Sequence, residues 1–252
     1  MEIPMVTQSP DQKYFLHLLY NVKTMLRPIT NSKSLIKAII EKSSLKQEVY
    51  LKTLGVFDIF KQESETFVKT NIGAIKKAPF PLLFEYNDRS KFEFQLKFGS
   101  DILIFFMHSN VFEIPRDHLM MKSSYIREDK SRSYCGIIHI FNFLADSFKY
   151  NRSNDIGYCI GRIFVNRENH YFTEGKREIG LLYNNFPGSN LDRTSIKTIL
   201  HSAVLYTLNF DLLTPPYDNI KEVTVAEMQS TLDAMLISTG KRLGFRFQAD
   251  AE

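Results

Sequence analysis

The chain has 252 residues, 44% apolar and 24% charged, with 13% aromatic and no Trp. That length can bury a substantial core without disulfides or a structural metal, and the balance excludes intrinsic disorder. Net charge is +4, unevenly placed, with 12 Lys or Arg against 7 Asp or Glu over residues 1–80, a surplus that can attract phosphate or simply solvate helices.

The longest wholly apolar run, Ile102 to Met107, is about a third of the ~20 residues a bilayer core requires, so no membrane association is expected. Cys135 and Cys159 lack metal-ligand or redox spacing, and no basic segment followed by an apolar run stands at the N-terminus. Both features lead to the expectation of a cytoplasmic protein.

Ser9-Pro10-Asp11-Gln12 combines a capping Ser, a Pro at the first helical position and a Gln three residues after the cap, so a helix is expected to start there. Tyr14, Phe15, Leu18, Leu19, Val22, Met25 and Leu26 continue it to Pro28. A second helix is expected around Leu35, Ile36, Ile39 and Ile40, with a break at Ser43-Ser44. Ser44 and Gln47 form another capping box, which predicts a third helix ending near Leu54-Gly55. Val56–Phe60 and Thr66–Thr70 flank the polar stretch Lys61–Glu65 and predict a hairpin.

Residues 76–81 read as a linker between a helical subdomain, 1–75, and an α+β domain, 76–252. Phe92, Phe94, Leu96 and Phe98 alternate with Glu93, Gln95 and Lys97, the period of a half-exposed strand. Gly99-Ser100 suits a type II′ turn, and the strand returning from Asp101 would set Phe94 opposite Phe105 and Leu96 opposite Leu103. Residues 117–133 read as a surface connection with some helix at Leu119–Met121, and Ile137–Phe148 fits helix or strand. Ile196, Leu200, Ala203, Val204 and Leu208 mark a later helix, and Thr224 with Glu227 caps another that runs to Gly240. The expected fold is α+β: a helical N-terminal third, then a mixed or antiparallel sheet with C-terminal helices packed on it.

Helix, short turn, helix and hairpin over residues 33–70 resemble a winged-helix-turn-helix. That resemblance implies a recognition helix from Leu45 to Leu54, with Lys46, Gln47, Tyr50 and Lys52 contacting DNA or RNA. The plain alternative is a helical subdomain with solvated lysines.

A second motif lies between Ser153 and Glu178, where Asp155 precedes Glu174-Gly175-Lys176. By residue type it resembles the PD-(D/E)xK nuclease superfamily, which implies that Asp155 and Glu174 hold Mg²⁺ while Lys176 supports the attacking water. Geometry divides the outcomes. A plain hairpin of residues 156–165 with 170–176 puts Glu174 opposite Gly161 and leaves Asp155 about 20 Å away. A helix over 155–165, which Ile156, Cys159, Ile160, Ile163 and Phe164 also fit, lets the two carboxylates meet. In the alternative reading Glu174, Lys176, Arg177 and Glu178 are the exposed polar face and end of a strand.

No zinc-protease helix, nucleophile elbow or phosphate loop occurs, and His108 and His139 read as core or boundary residues. The leading expectation is a cytoplasmic nucleic-acid-associated protein that binds through its basic N-terminal helices. Against it stand a metal-dependent nuclease, the one reading that calls for Mg²⁺, and a non-catalytic ligand-binding or protein-interaction module. A protein partner or a homo-oligomer is compatible with each.

Overall fold

Ser32–Ile75 forms one α-helix, α1, in a computed structural model that describes residues 31–153, 155–176, 178–181, 185–210, 217–219, 221–226 and 228–229. Asn31 caps it, its side-chain oxygen accepting from the Lys33 amide at 3.0 Å. The expected break at Ser43-Ser44 and the hairpin over Val56–Thr70 are corrected: α1 runs through both. The physical reason is the polar stretch Lys61–Glu65, which holds no Gly, Pro or Asn able to turn the chain, while Val49, Thr53, Val56, Phe57, Phe60, Glu63 and Ser64 form one buried stripe at helical spacing. The helix-turn-helix-hairpin arrangement read over residues 33–70 therefore has no counterpart here.

Residues 1–45 and 46–252 form two compact units. In the first, the described part is helical, with Leu35, Ile36, Ile39 and Ile40 exposed. The helix read over Ser9–Pro28, and most of the one read from Thr224 to Gly240, lie outside the described residues.

The second unit is built on an antiparallel sheet, so the expected α+β class holds. Its strands are β1 (Phe84–Ser90), β2 (Glu93–Phe98), β3 (Asp101–Met107), β4 (Phe112–Glu113), β5 (Tyr134–Leu144), β6 (Tyr158–Asn166) and β7 (Tyr171–Gly175). Their order is β1-β2-β3-β5-β6-β7, with β4 added to β5. The β2–β3 hairpin has the expected register, Phe94 with Phe105 and Leu96 with Leu103, and Gly99 takes the positive φ of 57° that its turn needs. Ile137–Leu144, ambiguous in sequence, is strand. The α-helices that follow α1 are α2 (Ser124–Glu128), α3 (Ala145–Lys149), α4 (Glu178–Leu181) and α5 (Arg193–Leu208). Asp192 caps α5 by accepting from the Ser195 amide at 2.7 Å. Among the described residues no helix is long and apolar enough to cross a membrane.

Paired residues share a sheet face, so the register sorts the side chains into two sets. One face carries Phe94, Leu96, Leu103, Phe105, Ile138, Ile140, Ile163 and Val165, which join Val56, Phe57 and Phe60 of α1 and Ile196, Ile199 and Leu200 of α5 in the main core. Phe94 stacks on Phe105 with centroids 4.5 Å apart. Gly136 lets α1 approach β5, since a Cβ there would press into the Thr53 side chain. Glu63, only 4% exposed, joins the two helices by pairing with Arg193 and, at 3.3 Å, with Lys197.

The opposite face is covered only in part. Ile114, Tyr125 and Ile126 close one end over Cys135, Ile137, Phe164 and Phe172. A polar lock fastens this cover to the β6–β7 turn: Tyr125 Oη donates to Glu168 at 2.7 Å, Arg132 Nε donates to the same carboxylate at 3.0 Å, and Asn166 Nδ2 donates to Tyr125 Oη at 2.8 Å. Burial would raise the Glu168 pKa, but the Tyr125 and Arg132 hydrogen bonds outweigh it and hold the carboxyl below its ordinary range. Burial also pushes the Tyr125 phenol up to about 12. At the other end Phe148 of α3 packs edge-on against Phe143. Between these covers, among the described residues, Phe106 is exposed and Ile104, His139 and Phe141 are half-buried.

Candidate ligand-binding cleft

The β5–β6–β7 register sets His139 beside Arg162 and Arg162 beside Glu174. One pair further along, Phe164 faces Phe172, their rings stacked at 4.6 Å. Two rings and an ion pair thus stand on one face at the sheet edge. The chain leaving β4 turns through Pro115–His118, where the His118 amide donates to the Pro115 carbonyl at 3.0 Å. A single 3₁₀ turn, Leu119–Lys122, follows with His118 as its cap.

His118 ties the two sides together. Its Nδ1 accepts from the Met120 amide at 3.2 Å, so the proton of the neutral ring resides on Nε2, which donates to Glu174 Oε1 at 2.9 Å. Arg162 donates to the other oxygen, Oε2. Both carboxylate oxygens of Glu174 are therefore engaged, and the His118 ring rests 5.5 Å from that of Phe172. A cavity of about 370 Å³ opens between these elements. Phe112, Ile114, Phe164 and Phe172 line its walls, and Glu113, Asp117, His118, Arg162 and Glu174 its rim.

Further rings lie beyond the cavity lining. Phe112 meets His108 edge-on at 4.8 Å, Phe106 lies 6.2 Å from both His108 and His139, and His139 stacks on Phe141 at 5.7 Å. Burial, with the nearby Arg162 and His108, lowers the His139 pKa, so its ring is neutral at neutral pH. The result is a row of flat rings beside a charged rim, a surface suited to stacking.

Both ring nitrogens of His118 are occupied, which leaves it no lone pair for general base work. Cys135, in the cavity wall, is buried, and burial pushes its thiol far above the range in which a thiolate forms. Among the described residues no three His, Cys, Asp or Glu side chains converge as a metal-holding group.

Of the residues read as nuclease or nucleic-acid contacts in the candidate motifs, Glu174 lies in the cleft. Asp155 has other partners: it accepts from Ser147 Oγ at 2.5 Å and pairs with Arg152 Nε at 2.8 Å. Residues 158–166 are strand, so the helix that would carry Asp155 back to Glu174 does not form. Glu174 sits opposite Arg162, one residue from the Gly161 expected, and Arg162 is four strand steps, roughly 13 Å, past Tyr158. The Lys176 amide donates to the Ile160 carbonyl at 3.1 Å, and its side chain borders a separate cavity of about 60 Å³ with Tyr158 and Tyr206. The three nuclease candidates thus take separate surroundings.

On α1, Lys46, Gln47 and Lys52 are exposed, but Tyr50 is half-buried against the core with Lys91 Nζ 5.5 Å from its ring. Lys52 points about 120° around the helix from Lys46, so the four do not share one face. Sequence reasoning missed His118, Phe112 and Phe172 as site residues. Their only local signal is the turn-forming run Pro115-Arg116-Asp117 before His118. No family model matches the chain, and comparison with curated proteins and with solved structures finds no match.

Proposed function

We propose that the chain is a non-catalytic binding module that holds a small ligand with a flat, aromatic body in the cleft beside Arg162, Glu174 and His118. The observation that carries this reading is the cavity itself: about 370 Å³, with aromatic walls and a polar rim on which His118, Glu174 and Arg162 are already hydrogen-bonded to one another. That volume is within the ~300–1,000 Å³ typical of small-molecule sites, and a few polar groups among apolar walls are what orient a ligand in them. The His118–Glu174–Arg162 chain pre-sets the rim, so little ordering remains to oppose binding.

Ligand-observed NMR against a mixture of aromatic fragments tests it. Saturable binding is expected, weakened at least fivefold in Phe112→Ala, a change at an exposed wall residue. Absence of saturable binding, or indifference to Phe112→Ala, removes the reading.

Association with DNA or RNA remains a second reading, supported by Lys46, Gln47 and Lys52 exposed on α1 and by the basic excess of residues 1–80. It calls for affinity that falls with salt and drops in Lys46→Ala/Lys52→Ala. Nucleic-acid binding indifferent to both would remove it.

A further inference from the structure

Resting on that reading of the cleft, we infer that its ligand is an organic cation, an aromatic body bearing an ammonium group. The argument is charge complementarity inside a formed cavity. Among the described residues, the rim carries three carboxylates, Glu113, Asp117 and Glu174, and one guanidinium, Arg162. Arg162 and Glu174 neutralise each other as a hydrogen-bonded pair, and His118 is turned toward that same carboxylate through Nε2, with Nδ1 taken up by the Met120 amide. Glu113 and Asp117 therefore set the field a ligand meets. Glu113 accepts from Tyr134 Oη at 2.8 Å on one oxygen, a bond that orients the carboxylate without neutralising it.

An anionic ligand fares worse on each count. The Arg162 guanidinium is already bonded to Glu174, so an anion that took it would strand that carboxylate beside its own charge. It would also face Glu113 and Asp117 unpaired. A cation leaves the Arg162–Glu174 pair intact and gains from the two carboxylates. It also gains from the ring of Phe112, whose π face attracts positive charge.

The test compares phenethylamine, 2-phenylethanol and phenylacetate, one ring with a positive, neutral or negative tail, by calorimetric titration at low salt. Phenethylamine is expected to bind at least tenfold more tightly than 2-phenylethanol, with phenylacetate weakest. Glu113→Gln/Asp117→Asn, two exposed positions whose exchange leaves the core untouched, should bring the amine and the alcohol within about twofold of each other. An unchanged melting temperature would show that the variant is folded. Equal or tighter binding of phenylacetate or 2-phenylethanol overturns the cationic assignment alone, as does an undiminished preference in the double variant. If none of the three binds, the cleft itself is not a site for aromatic ligands and both readings fall.

Discussion

On one face of the sheet, Phe94, Leu96, Phe105, Ile138 and Ile163 are sealed beneath α1 and α5; on the other, Phe106, His139 and Arg162 stay accessible beside a half-covered cleft. The strands are the same, so propensity and pairing cannot explain the difference. The covered face is apolar because burial alone selects its residues, whereas the other mixes flat rings with Arg, His and Glu in a way that packing does not require. Side chains whose identity packing leaves unexplained are where function is sought.

The sharpest way to break this contrast is truncation on the covered face. Phe57→Ala removes a fully buried ring that packs 5.4 Å from Phe94, and should cost about 3–5 kcal/mol in denaturant unfolding. Overfilling the same interface is expected to cost less: Gly136→Ala presses a methyl into Thr53, at about 1–3 kcal/mol. Phe106→Ala, on the opposite face where the ring is 38% exposed, should cost under about 1 kcal/mol. Equal losses at Phe57 and Phe106 would show that both faces are buried in solution.

Two smaller effects sharpen the contrast. Because burial and nearby positive groups lower the folded-state pKa of His139, the unfolded chain takes up that proton first. Its contribution is therefore present above the ordinary histidine pKa and is lost as pH falls through that value toward the folded one. NMR titration should give His139 a pKa below that of an unfolded histidine, and His139→Phe should flatten stability between pH 7 and 5. Cysteine reactivity divides the same way. Cys159 is exposed and should be alkylated in the folded protein, whereas Cys135 should react only on unfolding. Mass spectrometry after iodoacetamide treatment counts the adducts.

The β2–β3 hairpin was legible because Phe92 to Phe98 alternate strictly and Gly99-Ser100 punctuates them. α1 was not legible as one helix, since Ser44 and Gln47 imitate a helix start, and Val56, Phe57 and Phe60 are dense enough to imitate a strand. β6 was ambiguous because Ile163, Phe164, Val165 and Asn166 are all buried, and a strand covered on both faces loses its two-residue period. Within the cleft Glu174 drew notice as an acidic residue, but its partners Arg162 and His118 lie 12 and 56 residues away in sequence. No local motif could join them; the β6–β7 register and the turn after β4 do.

The most direct test of the cleft is a titration of ¹⁵N-labelled protein with phenethylamine, followed by amide NMR. Saturable shifts are expected at Ile114, His118, Arg162 and Glu174, with Val49, Phe57 and Phe94 on the covered side still. Shifts centred on α1, or none that saturate, would contradict the assignment of binding to this face.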